Sequence, residues 1–173
     1  MRTDFFICVT GAQFDAGLWM LDEILQSCPD AQWDASVGKY PFWHVAYHVL
    51  CFVDVYATVD NDAWIPDQRP DGMHPLGRVE LDEEYPSRRF ERGEMVAYLQ
   101  RCRELIRAAL AAETEASLAG PSGFAHLPFS RAELHLYNLR HLQHHTGQLS
   151  AVLRRVGVDT RWRKSGWGGD VRA

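Results

Sequence analysis

The segment RHLQHHTGQL, Arg140 to Leu149, places three of the chain's eight histidines within five positions. An α-helix advances about 100° per residue, so residues four apart nearly superimpose in projection. His141 and His145 then share one face, and His144 falls about 100° away on the flank. Leu134, Asn138, Val152 and Val156 project within about 60° of the pair, and Leu142 and Leu149 widen the same arc. The pair is therefore expected to point inward. A single histidine on an apolar stripe is ordinarily a core residue with its hydrogen bond satisfied. Two on one buried stripe must both be desolvated and paired, and one divalent ion meets both needs. Neutral imidazole is a good ligand for Zn²⁺, Ni²⁺ or Fe²⁺. Zinc proteases use the same HxxxH spacing on a helix. Here Leu142 stands where their HExxH motif needs a glutamate, so that chemistry is excluded.

Two ligands seldom hold an ion. A second segment, PFWHVAYHVL, carries His44 and His48, also four apart and also on an inward stripe. Spacing alone does not choose between them. His74 falls in a proline-rich stretch and His126 in a loop, while His135 projects to the far side of its helix from His141. No general base suggests itself. Asp54 projects away from the His48 stripe, Glu133 lies two turns before His141, and Asn138 can only orient or donate a hydrogen bond.

The elements that position these residues read as four long helices. Phe14, Leu18, Leu21 and Leu25 recur at helical spacing from Asp4 to about Ser27, and Cys28-Pro29-Asp30 stops that pattern. A short loop with Trp33 and Gly38 leads to Pro41, which suits the start of a second helix running to about Asp60. Its stripe takes in His44, His48, Cys51, Phe52, Val55 and Val59. The far side, with Trp43, Val49 and Leu50, is apolar too. A helix apolar on most sides is central, or is buried against a second chain. Asn61 to about Phe90, with Pro66, Pro70, Pro75 and Pro86, reads as a long irregular crossover. A third helix, with Met95, Leu99, Cys102, Ile106 and Leu110 on one face, extends to Gly120-Pro121. Ser130 and Glu133 form a capping-box signature for the fourth helix. It runs to about Val156, and Gly157 is its expected stop. No strand is evident. The fold class is thus all-α, a four-helix bundle with one long crossover between the second and third helices, in a single domain over residues 1–173. Trp33, Trp43, Trp64 and Phe129 are expected to pack, not to contact a cofactor.

The chain has 46% hydrophobic and 24% charged residues and a net charge of -5. That balance gives no basic footprint, and the small patches RRVG and RWRK do not supply one, so nucleic-acid binding is not expected. No run reaches the length of a membrane span. Four widely spaced cysteines, Cys8, Cys28, Cys51 and Cys102, form no CxxC pair and read as reduced thiols. With no sorting signal evident, a cytoplasmic location is expected.

These features together resemble the DinB/YfiT-like superfamily of four-helix metal-binding proteins. PFWHVAYHVL is similar to the family's second-helix segment. RHLQHHTGQLSAVLRRVG is similar to its signature, H-x-x-H-H-x-G-Q before a Leu/Arg run and Gly. The order of elements agrees from about Phe14 to Gly157. The resemblance implies a divalent metal ion on three histidines, one from the second helix and two from the last: His48, His141 and His145. It selects His48, leaving His44 as a partner of a ligand, a replacement ligand or a packing residue. It gives His144 a hydrogen bond on the flank. Zinc or nickel is expected first, with iron or manganese as alternatives. Three neutral ligands with open positions imply a catalytic site, either a metal-dependent hydrolase or a thiol-dependent transferase acting on a small molecule. The alternative is a non-catalytic metal-binding or stress-related protein with a structural metal. A homodimer is expected, built on the apolar second helix and the tryptophan-bearing tail.

Overall fold

The computed structural model describes residues 2–60, 62–64 and 86–167. Helix α1 spans Thr3–Ser27. One turn of helix, α2 (Asp30–Trp33), precedes a hairpin of two-residue strands, β1 (Ser36–Val37) and β2 (Tyr40–Pro41). Then come α3 (Phe42–Ala57), α4 (Arg92–Ala112), the short α5 (Glu115–Ala119) and α6 (Arg131–Arg155). Among the described residues the fold is all-α apart from that hairpin, whose strands are too short to show an alternating pattern. Most of the expected crossover, including His74, Pro66, Pro70 and Pro75, lies outside the described residues.

The four long helices form a bundle. α3 packs on α4 and α6, and α1 packs on the same two from the other side. His141 meets His48 and Asn138 meets Val53, so α3 and α6 run in opposite directions. Phe6 lies beside His135 and Gly17 beside Leu142, so α1 and α6 run the same way. The core takes Phe14, Leu18, Leu21 and Leu25 from α1, as the spacing predicts, and Leu99, Cys102 and Ile106 from α4. α3 buries 13 of its 16 residues within its own chain. Most of its apolar surface is therefore packed within the chain itself. Trp33 donates from Nε1 to the Phe90 carbonyl at 2.9 Å, tying α2 to the entry of α4. Trp33 and Trp64 are buried, and Trp43 and Phe129 pack against the core.

Several boundaries differ from the sequence reading. α3 stops at Ala57, where Thr58 turns its backbone N–H and hydroxyl onto the Val55 carbonyl. Val59, placed on the inward stripe, is 67% exposed as a result. Val156 is also exposed, because α6 ends one residue before it and Gly157 takes a left-handed φ of 81°. The third helix does not continue to Gly120. It breaks at Glu113, and Thr114 caps the new helix by accepting from the Ser117 N–H. Local capping by a threonine competes with helix continuation, and here the break directs Glu113 inward, onto Arg131 and His135. Ser130 caps α6, accepting from the Glu133 N–H at 3.2 Å, the Ser130 half of the capping box that the motif predicts.

Candidate metal centre

α3 and α6 bring three imidazoles to one point. His48 comes from the middle of α3, and His141 and His145 from successive turns of α6. Their ring centroids are 5.0 Å apart for His48–His141, 4.8 Å for His48–His145 and 4.6 Å for His141–His145. One potential ligand atom from each lies within 4.8 Å of the other two, the one such group of histidine, cysteine or carboxylate side chains among the described residues. The antiparallel crossing of α3 and α6 makes this possible, since a single α3 residue can face two α6 residues one turn apart.

The donor set fits a divalent ion. His48 Nε2 and His141 Nε2 are 3.1 Å apart. Two nitrogens about 2.0–2.1 Å from a tetrahedral ion are themselves about 3.3 Å apart. All three ligand atoms lie within 4.8 Å of one another, so the triangle stands slightly open. His141 Nδ1 is buried and has no hydrogen-bond partner among the described residues. Phe52 closes one side, its ring 4.7 Å from both His48 and His141.

Burial favours the neutral form of His141 and His145, the form that ligates. It pushes His141 down to about 3, and the proximity of His145 and His144 adds to the shift. Burial also lowers His145, against a hydrogen bond to Gln148 that favours the charged ring. Gln148 was not singled out in the sequence, although its spacing of three and four from His145 and His144 puts it within reach of both. Its Oε1 is 2.8 Å from His145 Nδ1 and its Nε2 is 3.1 Å from His144 Nε2. An amide that accepts at Oε1 and donates at Nε2 fixes the proton of His145 on Nδ1, which leaves Nε2 bare. His144 is exposed and its hydrogen bond runs to Gln148, on the flank of the helix.

The other candidates lie elsewhere. His44 is buried among aromatics, stacked on Trp43 at 5.2 Å and edge-on to Tyr40 at 5.1 Å. His126 sits on the Phe124 ring. Asp54 is fully buried and accepts from the Tyr98 hydroxyl at 2.7 Å. Asn138 donates to the Val53 carbonyl at 3.3 Å and so pins α6 to α3 one turn before His141.

His135 lies on the side of α6 away from His141, as its spacing predicts, and that side is buried as well. Glu113 Oε1 lies 2.8 Å from both His135 Nε2 and Arg131 Nε, and Arg131 also donates to the Thr58 carbonyl at 2.6 Å. This cluster locks the ends of α3, α4 and α6 together at the other end of the bundle seam.

A family model for the DinB superfamily matches residues 13–149, a span that includes His48, His141 and His145. The chain belongs to the DinB superfamily. The match ends at Leu149, so it covers the HxxHHxGQ segment and the helix that supplies His48. No curated protein matches this DinB-superfamily chain. The family and the geometry agree on a cluster that can hold a metal ion.

Proposed function

We propose that this DinB-superfamily protein holds one divalent metal ion on His48, His141 and His145. In this reading it acts on a small molecule as a metal-dependent hydrolase or a thiol-dependent transferase. The observation that carries the proposal is the convergence of three imidazoles from two helices with no carboxylate in the group. All-nitrogen donors favour zinc or nickel, with iron or manganese as alternatives. An ion held there would supply Lewis acidity and make a bound water or thiol more acidic. The residues around it hold and orient: Gln148 sets the His145 tautomer, Phe52 keeps water from one side, and Asn138 fixes the register of α6 on α3.

One observation favours a second reading. The buried carboxylates Asp54 and Glu113 are engaged with Tyr98 and with Arg131 and His135, and Asp22 accepts from Gln26. Among the described residues no carboxylate joins the three-histidine group, which suits a binding or structural metal. Metal analysis tests the shared premise. About one equivalent per chain is expected, falling to near zero in His145→Ala; unchanged content in that variant would sink the assignment. Chelation separates the two readings. A catalytic ion leaves the helical circular dichroism intact when removed, because the bundle has its own core, whereas loss of the fold assigns a structural role.

A further inference from the structure

A second site lies on the opposite side of α1. A cavity of about 1030 Å³ opens between α1, α4 and the segment after α6, and none of its walls belongs to the histidine cluster. Its floor is apolar and shallow-walled, with Ile7, Gly11, Ala12 and Leu110. Its size reaches the top of the range of small-molecule pockets, roughly 300–1,000 Å³.

The rim is positive in a chain whose net charge is -5. Arg107, Arg163 and Lys164 line it against a single carboxylate, Asp15. That carboxylate is already engaged by Arg103 at 2.8 Å and Arg107 at 2.7 Å. The RWRK segment thus supplies two of the three cations on the rim. The rim is also held in place. The Gly166 N–H donates to the Ala12 carbonyl at 2.9 Å, and Gln13 Nε2 donates to the Lys164 carbonyl at 3.2 Å. Arg163 donates to the Trp167 carbonyl at 2.8 Å. A rim already ordered loses little entropy when a ligand binds. At its edge Trp162 leaves a large aromatic side chain 74% exposed. An exposed aromatic beside an apolar hollow gains most from a ligand that stacks on it.

We infer that this cavity binds an amphipathic anion: a carboxylate or sulfonate head facing Arg107 and Lys164, with an apolar body over Gly11 and against Trp162. The inference stands independently of the metal site. Calorimetric titration of the full chain with decanoate tests it, with decyltrimethylammonium as the charge-reversed control. Saturable one-to-one decanoate binding is expected, with displacement of bound anilinonaphthalene sulfonate and no binding of the cation. Lys164→Glu should weaken binding by about tenfold, the effect of roughly 1.4 kcal/mol on a partly exposed charge. Ala111→Trp, on the exposed wall, should abolish it by filling the mouth. Both variants should keep the metal content of the parent chain. No saturable binding to the parent, equal binding of the cation, or undiminished affinity in both variants overturns the inference.

Discussion

His48 Nε2 on α3 lies 3.1 Å from His141 Nε2 on α6, although 93 positions separate them in the chain. Two desolvated imidazole nitrogens facing each other at that distance share a proton or a cation. One turn on, His145 adds a third ring to the same point. The contact sits on the seam where Asn138 binds the Val53 carbonyl, so any shift of α6 along α3 disturbs the site and the bundle together.

Gln148 offers the sharpest test of how the site is oriented. Gln148→Leu removes the acceptor at His145 Nδ1 while leaving an exposed position on α6 apolar but helical. Loss of such a partner typically weakens metal affinity by about 10–100-fold. Competition with a calibrated chelator should show that loss, with thermal unfolding of the metal-free chain unchanged. Equal affinities would mean that Gln148 does not orient the ligand.

The Glu113–Arg131 pair is buried, with side chains 6% and 7% exposed. Removing one member leaves an uncompensated charge. Arg131→Met should therefore lower stability by about 3 kcal/mol in urea unfolding. Glu113→Gln with Arg131→Met should lose less than the two single changes added together, because the pair is then removed as a unit.

Acid should destabilise the metal-free chain through His135. Burial lowers the folded-state pKa of this ring, against the raising effect of Glu113. Below its ordinary value of about 6.5 the unfolded chain therefore binds a proton that the folded chain resists. Its contribution to stability is complete above that pH and is lost as pH falls through the depressed folded value. Glu113 acts in the same direction further down. Burial raises it, but Arg131, Ser117 and His135 together hold it below the usual carboxylate range. Urea midpoints between pH 7.5 and 5 should fall, and His135→Leu should flatten the slope by up to about 1.4 kcal/mol per pH unit. A slope unchanged in that variant would assign the acid sensitivity elsewhere.

Two helical glycines should respond in opposite ways to alanine. A Cβ on Gly17 would meet the Gln143 side-chain amide and lie 2.9 Å from Leu142 Cδ2, so the Leu142 side chain, packed between α1 and α6, would have to shift. A Cβ on Gly147 meets nothing within 4 Å. Gly147→Ala should raise stability by about 0.5–1 kcal/mol through helix propensity. Gly17→Ala should lower it by about 1–3 kcal/mol, the usual cost of overpacking. Thermal denaturation of the two variants decides both.

The sequence by itself determined the four long helices, the caps at Ser130 and Gly157, and the pairing of His141 with His145. Each follows from periodicity or capping within about one turn, which the chain writes locally. It also determined the family, because the HxxHHxGQ run is local. Spacing could not decide which side of α3 reaches α6; the family resemblance chose His48, and only the tertiary structure gives the physical reason. His44 and His48 are equivalent by spacing, and the antiparallel packing sends His48 to the cluster and His44 into the aromatic nest of Tyr40 and Trp43. The break at Glu113 escaped the sequence reading as well. Nothing in the helical pattern forbids continuation there, and its partners, Arg131 and His135, lie 18 and 22 positions on. Pairings across such distances depend on where whole helices settle, and no local pattern of residue types encodes that.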